Sequence, residues 1–187
     1  MAKVAIVYHS GFGHTARQAE HVRKGAAAVA GVEAQLVAVA DVDKHWDDLA
    51  AADAIIFGAP TYMGSLSAPF KEFMDKSSKV WFKQGWKDKL AAGFTNSASW
   101  SGDKLNSLVQ LMVFSGQHAM VWVSLGLMPG NASSKGSVAD LNRVGSYSGA
   151  MAQSNSDQGA DAMLESDLQT AEHLGQRVAE AAKRWTR

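Results

Sequence analysis

The sequence predicts a doubly wound α/β fold, a parallel sheet with helices on both faces. Three observations support this. Strand-like and helix-like segments alternate along the chain. The strand candidates are short and apolar throughout, as strands covered on both faces are. The first of them, Val4-Ala5-Ile6-Val7-Tyr8, runs through Ser10-Gly11-Phe12-Gly13-His14-Thr15 straight into a helical pattern.

The strands are expected at Lys3–Tyr8, Glu33–Val39, Ala54–Gly58, Leu90–Thr95 and Met120–Leu125. The first helix is expected from His14 to Ala30, because Ala16, Ala19, Val22, Ala26 and Val29 recur at helical spacing. A short helical piece around Trp46–Ala52 precedes strand three. Phe70, Phe73, Met74 and Trp81 mark a helix after Pro69, which suits a first-turn position. Leu105, Leu108, Met112 and Val113 mark the next, with Ser101 or Asp103 as its cap. Leu164, Leu168, Ala171, Leu174, Val178 and Trp185 form a long last helix. Five parallel strands with alternating helices predict the flavodoxin-like order 2-1-3-4-5, with ligands beyond the carboxyl ends of the strands where the order reverses. One domain over 1–187 is expected, interrupted by a Gly-, Ser- and Asn-rich loop at about 128–161. That loop reads either as a surface insertion or as a lid or subunit-contact loop over the crevice.

Composition narrows the classes. The 187 residues suffice for one core, and 18 basic residues balance 18 acidic ones. No basic excess points to nucleic acid or a membrane surface. With no cysteine, a disulfide framework, a thiolate metal site and a Cys nucleophile are all excluded. The histidines have no metal spacing; His14 and His21 read as one exposed helix face, and Asp41, Asp43, Asp47 and Asp48 as a solvated run. The N-terminal apolar run is too short for a signal peptide, and no uncharged stretch is long enough to span a bilayer. The expectation is a cytoplasmic protein.

The loop at Ser10–Thr15 combines unpaired N–H groups, a helix dipole and two glycines that allow close backbone approach, which together make an anion site. Ser10 and Thr15 add hydroxyls. No Lys or Arg lies between Val4 and Ala16, so this is not the nucleotide-hydrolase loop, which requires a lysine. Alone, the segment admits a mononucleotide phosphate, a dinucleotide (it also fits G-x-G-x-x-A) or a plain turn. The dinucleotide fold needs its first glycine tight on the strand and an acid about twenty residues on. Here His9 and Ser10 intervene, and Asp41 lies too far away. A phosphoacceptor receiver needs acids where His9-Ser10 and Gly58-Ala59 stand.

Two further loops converge on the same crevice. Gly58 to Ser65 is stiffened by Pro60 and offers donors to the edge of a planar ring, with Tyr62 able to cover a ring face or to sit half buried in a turn. Thr95 to Asp103 is polar; Asn96 both donates and accepts, and Trp100 suits stacking or packing. Trp81 and His118 are each open between core and site roles.

These residues resemble the flavodoxin-like NAD(P)H:quinone oxidoreductases of the WrbA type. The resemblance rests on Tyr8-His9-Ser10-Gly11-Phe12-Gly13-His14-Thr15, on Ala54 to Gly64, on Lys89-Leu90-Ala91 and on His118-Ala119-Met120-Val121. Gly145 to Ala150 resembles the family's extended lid. The resemblance implies non-covalent FMN, with its phosphate on Ser10, Gly11, Phe12, Gly13, His14 and Thr15. It implies ring contacts at Pro60, Thr61, Tyr62, Met63 and Gly64, and at Thr95, Asn96, Ser97, Ala98, Ser99, Trp100, Ser101 and Gly102. It places His118 near the flavin as a candidate proton or hydrogen-bond donor, and Trp81 at the substrate face. No metal is implied. The implied activity is ping-pong transfer of two electrons from NADH or NADPH to a quinone, in a homo-oligomer, dimer or tetramer, whose sites neighbouring subunits complete. A one-electron flavodoxin-type carrier and an FMN-binding regulatory module are the alternatives. The chain departs from the family pattern at Tyr62 and Met63, where a basic residue and Phe are usual, and at Asn96, Ala98 and Trp100 in a loop usually rich in Gly and Thr.

Overall fold

A computed structural model describes residues 1–185; positions 186 and 187, inside the expected domain span, lie outside the described residues. The elements follow in order as β1 (Ala2–Tyr8), α1 (His14–Ala27), β2 (Val32–Ala38), α2 (Trp46–Ala51), β3 (Ala54–Tyr62), β4 (Ser65–Leu66), α3 (Ala68–Lys76), α4 (Ser78–Phe82), β5 (Leu90–Ser97), α5 (Lys104–Gln117), β6 (Val121–Trp122), β7 (Ala150–Gln153) and α6 (Glu165–Trp185). The sheet order is β2-β1-β3-β5-β6. The pairs along this path are parallel. Setting aside the two-residue β4, an antiparallel appendage of β3, this is the expected flavodoxin-like order.

Alternation along the strands sends successive side chains to opposite faces, and both faces are covered. Val4, Ile6, Ile56, Ala92 and Phe94 pack with Ala19, Val22, Leu174 and Val178 of α1 and α6. Ala5, Val7, Ile55, Phe57 and Ala91 pack with Leu49, Phe70, Phe73, Leu108 and Leu111 on the other side. α1 and α6 meet through a reciprocal pair of glycines. A Cβ on Gly25 would strike the Glu172 carbonyl, and one on Gly175 would strike the Val22 carbonyl. The two backbones therefore touch where any side chain would hold them apart.

Several local expectations are corrected. β3 does not stop at Gly58; Pro60, Thr61 and Tyr62 are still in the strand. The fifth strand is split. Val121–Trp122 pairs with the start of β5, and Ala150–Gln153 pairs in parallel with its end, from Phe94↔Ala150 to Ser97↔Gln153. The stretch 128–161 is therefore not all loop, and Ala150, expected in the lid, is a buried sheet residue. The intervening excursion is fastened to the start of α6. Asn142 N–H donates to Thr170 Oγ1 at 2.8 Å, Ser166 Oγ donates to the Val138 carbonyl at 2.7 Å, and Arg143 pairs with Asp167. His14 and His21 are not an exposed face. His14 is buried with Nε2 2.9 Å from the Gln158 carbonyl, and His21 meets Glu172 at 2.6 Å. Asp103 stands at the N-cap of α5 but its side chain makes no capping bond; it adopts a left-handed φ of 53°.

Candidate functional site

The carboxyl ends of β1, β3 and β5 open into a cavity of about 430 Å³, within the range of small-molecule sites. Of the expected residues, Ser10, Gly11, Phe12, His14, Thr15, Pro60, Thr61, Tyr62, Met63, Gly64, Asn96, Ser97, Ala98, Ser99 and Gly102 line it. Gly13, Thr95, Trp100 and Ser101 do not line it; Trp100 and Ser101 line a separate cavity with Leu105, Val144 and Met151. Asp103, the last residue of the third loop, also lines the strand-end cavity, as do Ser154 and Ser156, the two that sequence reasoning missed. The two serines follow Ala150-Met151-Ala152, a small apolar run leading into small polar residues, which repeats in miniature the pattern of the other strand ends. Among the described residues, none of the 104–153 stretch lines the cavity of its own chain; from that side the chain beyond β7 reaches it, through Ser154 and Ser156.

The phosphate end is built by the β1–α1 turn. Gly13, at φ 89°, is the N-cap of α1, and its N–H donates to Ser10 Oγ at 3.1 Å. The first N–H groups of a helix lack intrahelical acceptors, and among the described residues no other acceptor takes those of His14 and Thr15. Gly11 lies against the Tyr62 hydroxyl, where a Cβ would come within 2.6 Å of the oxygen. Burial raises the Tyr62 pKa, against the opposing pull of the Gly11 backbone hydrogen bond. Phe12 meets Tyr62 edge-on at 6.4 Å and is 79% exposed.

The ring end is held by buried hydroxyls and one cation. Thr61 Oγ1 lies 2.8 Å from Thr95 Oγ1 and 2.7 Å from Ser107 Oγ, joining β3, β5 and α5. Asn96 Nδ2 donates to Ser154 Oγ at 2.8 Å. Among the described residues Asn96 Oδ1 is buried without a hydrogen-bond partner, a free acceptor on a residue that lines the cavity. Beneath the third loop sits Lys104, buried, its pKa pushed down to about 8 by burial, with Asp167 opposing and Arg143 adding to the shift.

Trp81 and His118 are not part of this cavity within one chain. They line a second one with Ser77, Gln110 and Phe114, and the two cavities share no lining residue. His118 is buried against Trp86 and Phe114, with ring centroids 4.4 and 4.8 Å away. Its Nε2 lies 2.9 Å from Ser77 Oγ, which itself donates to the Met74 carbonyl. Burial lowers its pKa to about 4, so it is neutral at pH 7. Among the described residues no group of three or more His, Asp or Glu could hold a metal, and no helix is long and apolar enough to cross a membrane.

The family profile described as NADPH-dependent FMN reductase matches residues 3–133. The chain belongs to that family. Its relatives place it among the WrbA-type, flavodoxin-like members. It is 44% identical to the crystal structure described as a flavodoxin, WrbA-like protein from Agrobacterium tumefaciens, with a TM-score of 0.78, covering 98% of this chain and 99% of that one. It is 45% identical to flavodoxin FldP of Pseudomonas aeruginosa over 96% of both chains. It is 30% identical to an NAD(P)H dehydrogenase (quinone) of Archaeoglobus fulgidus, covering 98% of this chain and 99% of that one. FMN with a reduced nicotinamide is the cofactor set of this FMN reductase family member, and its coarse activity is that of an oxidoreductase. The cavity's chemistry fits FMN. Unpaired main-chain donors at a helix start suit a phosphate, and the orphaned Asn96 oxygen suits a ring N–H.

Proposed function

We propose that this chain is an NAD(P)H:quinone oxidoreductase that holds FMN in the β1–β3–β5 cavity. The observation that carries the reading is the cavity's donor set: free amides and hydroxyls at one end, an unpaired buried acceptor at the other, and an open side between them. The N–H groups of the Ser10–Thr15 turn would bind the phosphate, with Ser10 and Thr15 as hydroxyl neighbours. Pro60–Gly64 and Thr95–Gly102 would frame the ring. When bound, FMN supplies hydride acceptance from NADH or NADPH and two-electron delivery to a quinone; the residues bind, orient and provide donors where negative charge develops. No side chain of the cavity is required as a general acid or base.

The reading includes a homo-oligomer, dimer or tetramer. Trp81, 48% exposed, and His118 line a separate cavity, so they would meet the flavin only across a subunit contact. Sedimentation measurements test the assembly, and a monomer at assay concentration would remove both residues from the site.

A second reading, a one-electron carrier, is favoured by the 45% identity to a protein named flavodoxin. Steady-state turnover of the FMN-loaded protein with NADH or NADPH and a benzoquinone separates the two. Rapid nicotinamide-dependent quinone reduction is expected. Negligible turnover, with a stable one-electron-reduced flavin building up during anaerobic dithionite titration, would instead establish the carrier.

A further inference from the structure

Lys104 is buried, and among the described residues no carboxylate contacts its ammonium group. Its N–H donors go to Ser97 Oγ, the Ser99 carbonyl and the Trp100 carbonyl, each at 2.8 Å. Ser97 and Ser99 line the cavity, so the lysine sits one layer behind the third loop. In a planar trans peptide the C=O and N–H point opposite ways. Anchoring the Ser99 and Trp100 carbonyls on Lys104 therefore turns the N–H groups of Trp100 and Ser101 away from it.

The neighbouring charges do not neutralise this cation. Asp167 is committed to Arg143 through two bonds, Nε to Oδ1 at 2.9 Å and a terminal nitrogen to Oδ2 at 2.6 Å. Arg143 also lies 4.6 Å from the Trp100 ring centroid. Lys104 and Arg143 against Asp167 leave one net positive charge buried behind the loop. Three neutral acceptors satisfy the ammonium's hydrogen bonds but not its desolvation. A neutral amide, with two N–H donors, would hold two of the three acceptors without that cost; what it would lack is the positive charge.

We propose that Lys104 is a positioning residue that sets the redox balance of the bound flavin: it fixes the Ser97–Trp100 turn, and its charge favours the reduced ring over the oxidised one. This rests on the reading that FMN lies in the cavity with its ring at the third loop. Two electrons and one proton added to the neutral ring leave it with one negative charge, which a fixed cation behind the loop stabilises selectively.

The test compares wild type with Lys104→Met and Lys104→Gln. Dissociation constants for oxidised FMN come from quenching of flavin fluorescence. Anaerobic midpoint potentials, with dithionite as reductant, give the relative affinity for the reduced form. Both neutral variants are expected to weaken reduced-FMN binding about tenfold more than oxidised-FMN binding, a shift of about 30 mV to more negative potential for a two-electron couple. Equal weakening of both forms, or none, would overturn the proposal and leave Lys104 as loop support alone. Asp167→Asn adds one net positive charge and should move the potential the other way, which keeps the idea testable should the Lys104 variants not fold; an unmoved potential there also overturns it. If the wild-type protein quenches no flavin fluorescence, the FMN reading itself fails first, and that outcome is distinct from an unshifted potential in a protein that binds.

Discussion

Removing either partner of the Arg143–Asp167 pair should cost about 3–5 kcal/mol, whereas removing both should cost less. The side chains are 0% and 1% exposed and share two hydrogen bonds. Asp167 Oδ2 also accepts the Gln153 N–H at 2.9 Å, tying β7 to the first turn of α6. Arg143→Met strands a carboxylate whose remaining help is that N–H, the helix dipole and the more distant Lys104 charge. Asp167→Leu strands a guanidinium whose other terminal nitrogen, Nη1, already lacks an acceptor, and it also leaves the Gln153 N–H unpaired. In the double variant neither member of the pair is left uncompensated, Lys104 keeps its three neutral acceptors, and the loss falls to the unpaired N–H, about 1–3 kcal/mol. The assay is urea unfolding of FMN-free protein, because bound ligand would add its own stabilisation. With a slope of about 2 kcal/mol per molar urea, each single variant should lower the midpoint by about 1.5–2.5 M. Single variants within about 1 kcal/mol of wild type, or a double variant costing the sum of the singles, would refute the reasoning.

Three further outcomes follow from the geometry. Gly175→Ala puts a Cβ on the Val22 carbonyl and should cost about 1–3 kcal/mol as α1 and α6 are forced apart, seen as a lower Tm; an unchanged Tm would mean the helices separate freely. His118 is held neutral by burial, its pKa lowered from 6.5 to about 4. Its contribution is complete above pH 6.5 and is lost as pH falls towards 4, by up to about 3 kcal/mol. Urea midpoints between pH 7.5 and 4.5 should therefore fall less steeply in His118→Asn than in wild type; equal slopes would contradict this. Phe12→Glu, at an exposed position on the cavity rim, sets a carboxylate beside the phosphate end and should weaken FMN at least about tenfold, about 1.4 kcal/mol, with unchanged urea stability; undiminished affinity would move the phosphate elsewhere.

Much of the cavity was legible because its pieces are local. A strand that ends in Ser10-Gly11-Phe12-Gly13 and restarts as a helix announces an anion turn by residue type alone. Pro60 and Asn96 read as loop residues; both prove to lie at the carboxyl ends of β3 and β5, and both line the cavity. Ser154 and Ser156 were not legible, since β7 has four residues and acquires meaning only beside β5. His118 and Trp81 carried family resemblance but no local sign of where they point. The structure places Trp81 on α4 and His118 against Phe114, both away from the cavity of their own chain.

The sequence by itself determined the alternation of strands and helices, the order of the sheet and the uncharged phosphate-type turn, because periodicity and turn chemistry act over a few neighbouring residues. Only the tertiary structure decided that the last strand is divided around a long excursion, that the excursion is pinned to α6 through Arg143 and Asp167, and that Lys104 stands buried beneath the third loop. Each of those depends on partners many residues away, whose contacts exist only once the sheet has assembled. A charged residue at the start of a helix reads as surface until the neighbours that bury it are in place.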